Sequence, residues 1–249
     1  MQPRSPESSI LEALSKSLDG PSIEINGLDG LEVATRSEIW LLAEQIASFL
    51  KAFRVGPGDR VVLMHPTSKY LVASIFAVWG CRAIIVPVAH QFRNFDSVRT
   101  ILNAAQPKLI LTNRSLNDLI SDEFGPSAAC IEDLDFNDRA SLSLPSPEEL
   151  ALVQFSSGST GHPKGICIRH RQLVKNVQSI GQVSRSTSAD RFLSWLPLYH
   201  DMGLIGGLLF PVFASLDLKL IATERYAADP GLWIRSLSDF KATLTVAPP

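Results

Sequence analysis

The run Ser156-Ser-Gly-Ser-Thr-Gly-His-Pro-Lys-Gly165 carries the side chains and the backbone freedom needed to hold a polyanion. Ser156, Ser157, Ser159 and Thr160 supply hydroxyls, and Lys164, next to Gly165, adds a point charge. Gly158 and Gly161 let the backbone approach a ligand closely, and successive N–H groups on such a loop form an anion-binding concavity. The run is not a Walker A loop. That motif closes on Gly-Lys-Ser/Thr, which puts a hydroxyl beside the lysine for magnesium; here Pro163 precedes Lys164 and Gly165 follows it. A Ser/Gly-rich surface linker is also a poor fit, because Pro-Lys-Gly stands between two apolar, strand-like runs.

A second stretch lies some 40 residues on. Residues 194–207 read Ser-Trp-Leu-Pro-Leu-Tyr-His-Asp-Met-Gly-Leu-Ile-Gly-Gly, a strand closed by proline and followed by an aromatic-His segment that opens a helix. Together with Val55-Gly-Pro-Gly-Asp-Arg-Val61, the two stretches resemble the adenylate-forming enzymes: acyl-CoA synthetases, fatty acyl-AMP ligases, peptide-synthetase adenylation domains and luciferases. The form Leu-Pro-Leu-Tyr-His-Asp-Met-Gly-Leu-Ile-Gly is most similar to the fatty acyl-AMP ligase branch. The resemblance runs from about Ser37 to Pro249.

The resemblance implies attack of a carboxylate on the α-phosphate of ATP, giving an acyl adenylate and pyrophosphate, with Mg2+ as the accompanying ion. Ser156, Ser157, Gly158, Ser159, Thr160, Gly161, Lys164 and Gly165 would hold the nucleotide phosphates, and Lys164 would neutralise the leaving pyrophosphate. His200 would orient the carboxylate or bond the α-phosphate, with Asp201 fixing its ring. Tyr199, Met202, Gly203, Gly206 and Gly207 would complete the acid site. For the glycines, close helix–sheet packing is the competing explanation. Members of that family are longer. Their later half carries a Tyr-Gly-x-Thr-Glu segment that contacts adenine and metal, a ribose-binding aspartate, a hinge and a mobile C-terminal domain with a catalytic lysine. The chain is therefore expected to hold the first half of the site, with the metal ligands outside it. The implied substrate is a fatty acid, since no aspartate suited to an α-ammonium group stands in Ala242–Val246. The implied acceptor is an acyl carrier protein or a polyketide or peptide-synthetase module, ahead of free coenzyme A. Competing expectations are a truncated or non-catalytic relative, and a P-loop NTPase or kinase, which the missing Gly-Lys-Ser/Thr disfavours.

Composition sets outer bounds. Hydrophobic residues make up 45% of the chain and charged residues 19%, enough apolar surface for a sizeable core. A net charge of −2 gives no sign of a nucleic-acid groove. Cys81, Cys130 and Cys167 are odd in number and widely spaced, which fits neither a metal site nor a disulfide framework, so a reducing cytoplasm is the default. The acidic residues of the first 20 argue against a signal peptide, and no run approaches the ~18 apolar residues of a membrane span.

The elements that must position the two stretches alternate. Thr35-Arg-Ser-Glu38 has the form of a capping box, and the helix it opens should stop at Gly56-Pro57-Gly58. Strands are expected over 60–64, 83–88, 109–111, 150–155, 166–168, 191–196, 218–222 and 242–246, and helices over 68–79, 95–105, 170–181, 203–213 and 229–239. This predicts an α/β fold, layered α/β/α with largely parallel sheets, as in part of the N-terminal domain of an adenylate-forming enzyme. The division expected is an extension over 1–36, a first α/β subdomain over 37–130, an acidic connecting loop over 131–149 and a second α/β segment over 150–249. His65, His90, His162 and His170 have no acid at diagnostic spacing and are expected to be structural or exposed. Arg169, His170, Arg171 and Lys175 look like a solvated helix start.

Overall fold

Alternate side chains along the parallel strands enter different hydrophobic layers, and this sets the architecture. The computed structural model describes residues 8–91, 95–124, 128–134, 137–156 and 164–248. In chain order the elements are α1 (Ile10–Ser15), β1 (Ile23–Gly27), β2 (Gly30–Ala34), α2 (Arg36–Ala52), β3 (Arg60–Met64), α3 (Lys69–Gly80) and β4 (Ile84–Pro87). There follow α4 (Phe95–Ala105), β5 (Leu109–Thr112), α5 (Arg114–Phe124), β6 (Ala128–Cys130), a 3₁₀ turn (Ile131–Asp133), β7 (Leu150–Ser156), β8 (Lys164–Arg169) and α6 (His170–Ser184). The chain then forms β9 (Arg191–Ser194), a π-helix (Met202–Leu209) that runs into α7 (Phe210–Phe213), β10 (Asp217–Ile221), α8 (Thr223–Ala228), α9 (Gly231–Asp239) and β11 (Leu244–Thr245).

Two sheets result, one of order β11-β9-β10-β1-β2 and one of order β6-β5-β3-β4-β7-β8. Their pairs are parallel except for the hairpins β1–β2 and β7–β8. Val61 and Leu63 of β3, Ile85 of β4, and Leu109 and Leu111 of β5 face a central core shared with α2 and α3. Their neighbours Val62, Met64, Ile84, Val86 and Ile110 face the opposite side, where Val98 and Leu102 of α4 and Ile120 of α5 cover them. The other sheet behaves alike: Phe192, Leu218 and Leu220 join the central core, while Leu193 and Ile221 pack against Leu232, Trp233 and Leu237 of α9. Five layers, helix-sheet-helix-sheet-helix, follow from this period of two. The α/β class and the mostly parallel sheets expected from the sequence are present.

Local signals account for most boundaries. The Thr35 and Glu38 box is reciprocal: Glu38 N–H donates to Thr35 Oγ1 (3.1 Å), and Thr35 N–H donates to Glu38 Oε2 (2.7 Å). The helix it opens stops earlier than expected, because Arg54 takes the left-handed conformation at φ 57° ahead of Gly56. The helix expected over 229–239 starts two residues late, at Gly231: Asp229 (φ −146°) leaves the helical region before Pro230, as a residue preceding proline prefers. The helix expected over 203–213 is a π-helix for most of its length. Its register changes ahead of Pro211, which has no N–H to offer a ladder.

Elements absent from the sequence-based expectation are α1, the β1–β2 hairpin, α5, β6, the 3₁₀ turn and α8. The hairpin had a legible signal in Asp29-Gly30 between alternating Ile23, Ile25 and Leu31, Val33; Gly30 adopts φ 125°, where only glycine is comfortable. It lies within residues 1–36 and pairs with β10, Ile23 opposite Leu218. Strands β7 and β8 belong to the sheet built by residues 60–130, with Leu152 opposite Ile85. The 131–149 segment is fastened along the α2–α3 pair, where Ala140 N–H donates to Glu44 O and Ser143 N–H to Gly80 O.

His170 corrects the expectation of a solvated helix start. It is 1% exposed, while Arg169, Arg171 and Lys175 are exposed. Its ring lies edge-on to Trp79 (5.3 Å, 75°), whose Nε1–H donates to Ala151 O (2.8 Å), so α3, β7 and α6 meet at one point. Burial pushes the imidazole down from 6.5 to about 4, and the charge of Glu149 offsets this only in part. An unfolded chain takes up this proton near the ordinary value and the folded chain only near 4. Stability should therefore fall as pH drops through that window, by up to about 3 kcal/mol. Glu132, held near 2 in the fold, adds its loss below 4.5. We expect urea midpoints to fall between pH 6.5 and 4 more steeply for the wild-type chain than for His170→Leu; equal slopes would assign the acid sensitivity elsewhere.

Candidate functional site

The β7–β8 hairpin frames the Ser/Gly loop. Ser156 stands opposite Lys164 and Phe155 opposite Gly165, so the two ends of the loop are held side by side. The expected phosphate contacts Ser157, Gly158, Ser159, Thr160 and Gly161 lie outside the described residues, as does His162. Lys164 is exposed at the first position of β8. Gly165 has a packing role: a Cβ there would come within 3.1 Å of Val153 Cγ1 and 3.2 Å of Phe155 Cζ.

A single hydrogen bond joins the strand before this loop to the second stretch. Gln154 on β7 is buried, and its Nε2 donates to Tyr199 O (2.8 Å). The turn that follows is tight. His200 N–H donates to Pro197 O (3.1 Å), and His200 O accepts from Leu204 N–H (2.8 Å). The His200 ring is exposed and leans on Tyr199, with centroids 4.9 Å apart. Asp201 Oδ1 accepts from Met202 N–H (2.7 Å) at the start of the π-helix; it makes no hydrogen bond to the His200 ring.

The three glycines of the π-helix divide by role. A Cβ at Gly203 would stand 2.2 Å from Pro197 O, and one at Gly207 2.6 Å from Ser194 Oγ; both are close helix–strand packing positions. Gly206 meets nothing within 4 Å. It opens onto a groove of about 440 Å³ whose apolar wall is Ile180, Phe192, Met202, Ile205, Phe210, Leu244 and Val246, with Asp201 at its rim. Among the expected acid-site residues, Asp201, Met202 and Gly206 line this groove, while Tyr199 and His200 stand at the turn that leads into it. Phe192, Leu244 and Val246 could not be assigned to the groove from spacing, because they reach it through the β9–β11 pairing.

Two histidines have acid partners that the sequence did not reveal. His90 Nε2 meets Glu224 Oε1, 134 residues away, and Gln91 Nε2 donates to the same oxygen (2.9 Å). His65 Nε2 meets Glu132 Oε1 (3.1 Å), and Cys130 Sγ lies 3.1 Å from Glu132 Oε2. This Cys-Glu-His group is no nucleophile. Burial, reinforced by the hydrogen bond to Glu132, pushes the thiol up to about 12. Burial also pushes Glu132 upward, but the bonds from His65 and Cys130 outweigh it and hold the carboxyl at about 2. Among the described residues there is no group of three His, Cys, Asp or Glu that could hold a metal ion, and no helix is long and apolar enough to cross a membrane.

The two stretches singled out in the sequence are thus joined through Gln154 and Tyr199, on an α/β fold of two mostly parallel sheets. The chain belongs to the AMP-binding enzyme family, whose sequence pattern matches residues 23–249. It is 29% identical over 233 residues to the long-chain-fatty-acid–AMP ligase FadD26 of Mycobacterium marinum, an alignment that covers 87% of this chain and 40% of that protein. Over 102 residues, 41% of this chain and 16% of the other, it is 35% identical to the medium-chain-fatty-acid–[acyl-carrier-protein] ligase TtuA of Teredinibacter turnerae. Its fold matches the fatty acid AMP ligase from Legionella pneumophila at a TM-score of 0.89 and 24% identity, covering 97% of this chain and 44% of that one. The chain thus spans about two fifths of the length of the ligase relative FadD26.

The glycine geometry makes an ordered expectation. Gly203→Ala should lower stability by about 1–3 kcal/mol or more, because a backbone oxygen cannot move aside. Gly207→Ala should cost less, since its closest neighbour is the side-chain Ser194 Oγ, which can turn away at the loss of its bond from Leu196 N–H, rather than backbone. Gly206→Ala should be neutral or stabilising by up to about 1 kcal/mol from helix propensity. Denaturant unfolding of the three variants checks the order; a Gly206→Ala loss as large as that of Gly203→Ala would contradict it.

Proposed function

We propose that this chain serves ATP-dependent activation of a carboxylic acid, a fatty acid, to an acyl adenylate, for transfer to a carrier-protein thiol or to coenzyme A. The observation that carries the proposal is the apolar groove that starts at Asp201 and Met202, beside the His200 turn, and passes Gly206. Most of its lining is aliphatic and aromatic carbon, which suits an acyl tail, with Asp201 its one carboxylate.

The nucleophile, a carboxylate, and the electrophile, a phosphate ester, are both anionic, so positioning and charge neutralisation are the main tasks. Lys164, which pairs with Ser156 across the β7–β8 hairpin, would neutralise the departing pyrophosphate. Ser157, Gly158, Ser159, Thr160 and Gly161 would cradle the phosphates. His200 would orient the carboxylate or hydrogen-bond the α-phosphate, and the Gln154 bond to Tyr199 O keeps that turn in register with the loop. Magnesium would come with ATP, but the described residues offer no three-ligand cluster for it, and no step is assigned to it. The coverage of FadD26 supports a second reading, in which residues 1–249 hold only part of the site and show no ATP–pyrophosphate exchange by themselves.

Two measurements test this. Displacement of a fluorescent fatty acid from the 249-residue chain reads the groove. Gly206→Trp, which fills open space, should weaken dodecanoate at least about tenfold, the scale of losing some 50 Å² of apolar contact. Phenylalanine should not compete. In a protein that joins this sequence to the remainder of the site, Lys164→Ala should slow adenylate formation by about 10- to 1,000-fold in a hydroxamate-trapping assay. An amino-acid preference would overturn the substrate class, and an unchanged rate in Lys164→Ala would overturn the phosphate role.

A further inference from the structure

One buried His–Glu pair lies outside both sequence stretches yet touches the turn within the second. His90 follows β4 of the six-stranded sheet, and Glu224 opens α8 after β10 of the five-stranded sheet. Their side chains are 10% and 17% exposed. His90 Nε2 meets Glu224 Oε1, so the pair bridges the ends of the two sheets. The His90 ring stands edge-on to Tyr199 (5.9 Å, 74°), and Tyr199 lies against His200 (4.9 Å), which makes a run of three rings. Thr223, beside Glu224, donates from Oγ1 to Trp195 O (3.0 Å), so the same helix start also holds the strand end that leads into the turn. His90 Nδ1 and Glu224 Oε2 are buried and have no hydrogen-bond partner among the described residues.

We infer that the His90–Glu224 pair is a positioning element for the Tyr199–His200 turn: through its hydrogen bond and the His90 ring it braces the turn against the six-stranded sheet. The brace does not rest on the acid-activating function proposed above. Burial pushes the Glu224 carboxyl up, but the His90 bond pulls it below its ordinary value, so it remains ionised. Its charge is felt at the turn: burial, then the Glu224 field, raises the Tyr199 phenol. A buried carboxylate is tolerated while His90 and Gln91 both bond it, and losing His90 leaves it under-bonded. A neutral amide pair that can keep the hydrogen bond should therefore do less harm than removing the histidine alone.

The test compares His90→Leu with the double variant His90→Gln/Glu224→Gln in the 249-residue chain. The first readout, amide exchange at His200 and Leu204, needs no ligand. We expect about tenfold faster exchange in His90→Leu and rates within about threefold of wild type in the double variant. The second readout is exchange at Val62 and Ile110 in the six-stranded sheet, away from the turn. These amides should keep wild-type rates in His90→Leu, a selectivity that loss of global stability does not produce. Unchanged exchange in His90→Leu, or a double variant as impaired as His90→Leu, overturns the brace. Equal acceleration at Val62 and Ile110 assigns the effect to global stability and also overturns the brace. If His90→Leu does not fold, His90→Gln takes its place, and its deficit relative to the double variant gives the same answer.

Discussion

The guanidinium of Arg36 is the tie on which the arrangement of this chain depends. It is fully buried at the start of α2. Nε donates to Pro21 O (3.0 Å), and Nη1 donates to Ser17 Oγ (2.8 Å) and to Val212 O (2.9 Å). Nη2 reaches Leu216 O (3.4 Å). Three segments distant in sequence thus meet on one planar fork: the turn after α1, the first residue of α2, and the bend from α7 into β10. Burial pulls the group down from 12.5 to about 10, with Asp217 pulling it back up, so it stays charged at any physiological pH. Only arginine offers this many fixed donors on a group so hard to neutralise. Replacing it would strand several carbonyls, each a loss of about 1–3 kcal/mol.

The functional consequence lies in what the tie holds. Arg36 fixes the far end of the helical segment that starts at Met202, and the near end is fixed by Gln154 on Tyr199 O and by the Asp201 cap. Between these anchors Gly203 and Gly207 let the segment settle onto β9 and the Pro197 turn, while Gly206, Ile205 and Met202 face the groove. A π-helix is costly and uncommon and tends to occur at functional sites. Here it lets two packing glycines and an open one share eight residues.

Much of this was legible beforehand, for identifiable reasons. The buried strands after Arg60 announce themselves as short, continuous apolar runs, and the Thr35–Glu38 box marks its helix by chemistry that acts within four residues. The two stretches of the candidate site were visible for the same reason: each concentrates its special residues within a short span. What stayed hidden is long-range. Glu224 cannot be matched to His90 across 134 residues by spacing, and Glu132 cannot be matched to His65. Leu244 and Val246 join the groove only because β11 lies beside β9. The π register is hidden too, since a glycine-rich apolar run has no periodicity that separates it from an α-helix.

The pairing of β1 with β10 has a consequence for how the molecule is made. Ile23 must wait for Leu218. At about 5–20 residues per second, a ribosome needs roughly 10–40 s to cover that distance. Throughout that interval the β1–β2 hairpin has been synthesised but has no third strand, whereas the strands between residues 60 and 169 can already pair with one another. The six-stranded sheet therefore has every opportunity to assemble during synthesis, and the five-stranded sheet closes last. The nascent chain carries Ile23 and Ile25, both fully buried at the end, exposed beside Leu31 and Val33 for most of its elongation. That makes the N-terminal hairpin the segment on which chaperone engagement and aggregation during expression should concentrate.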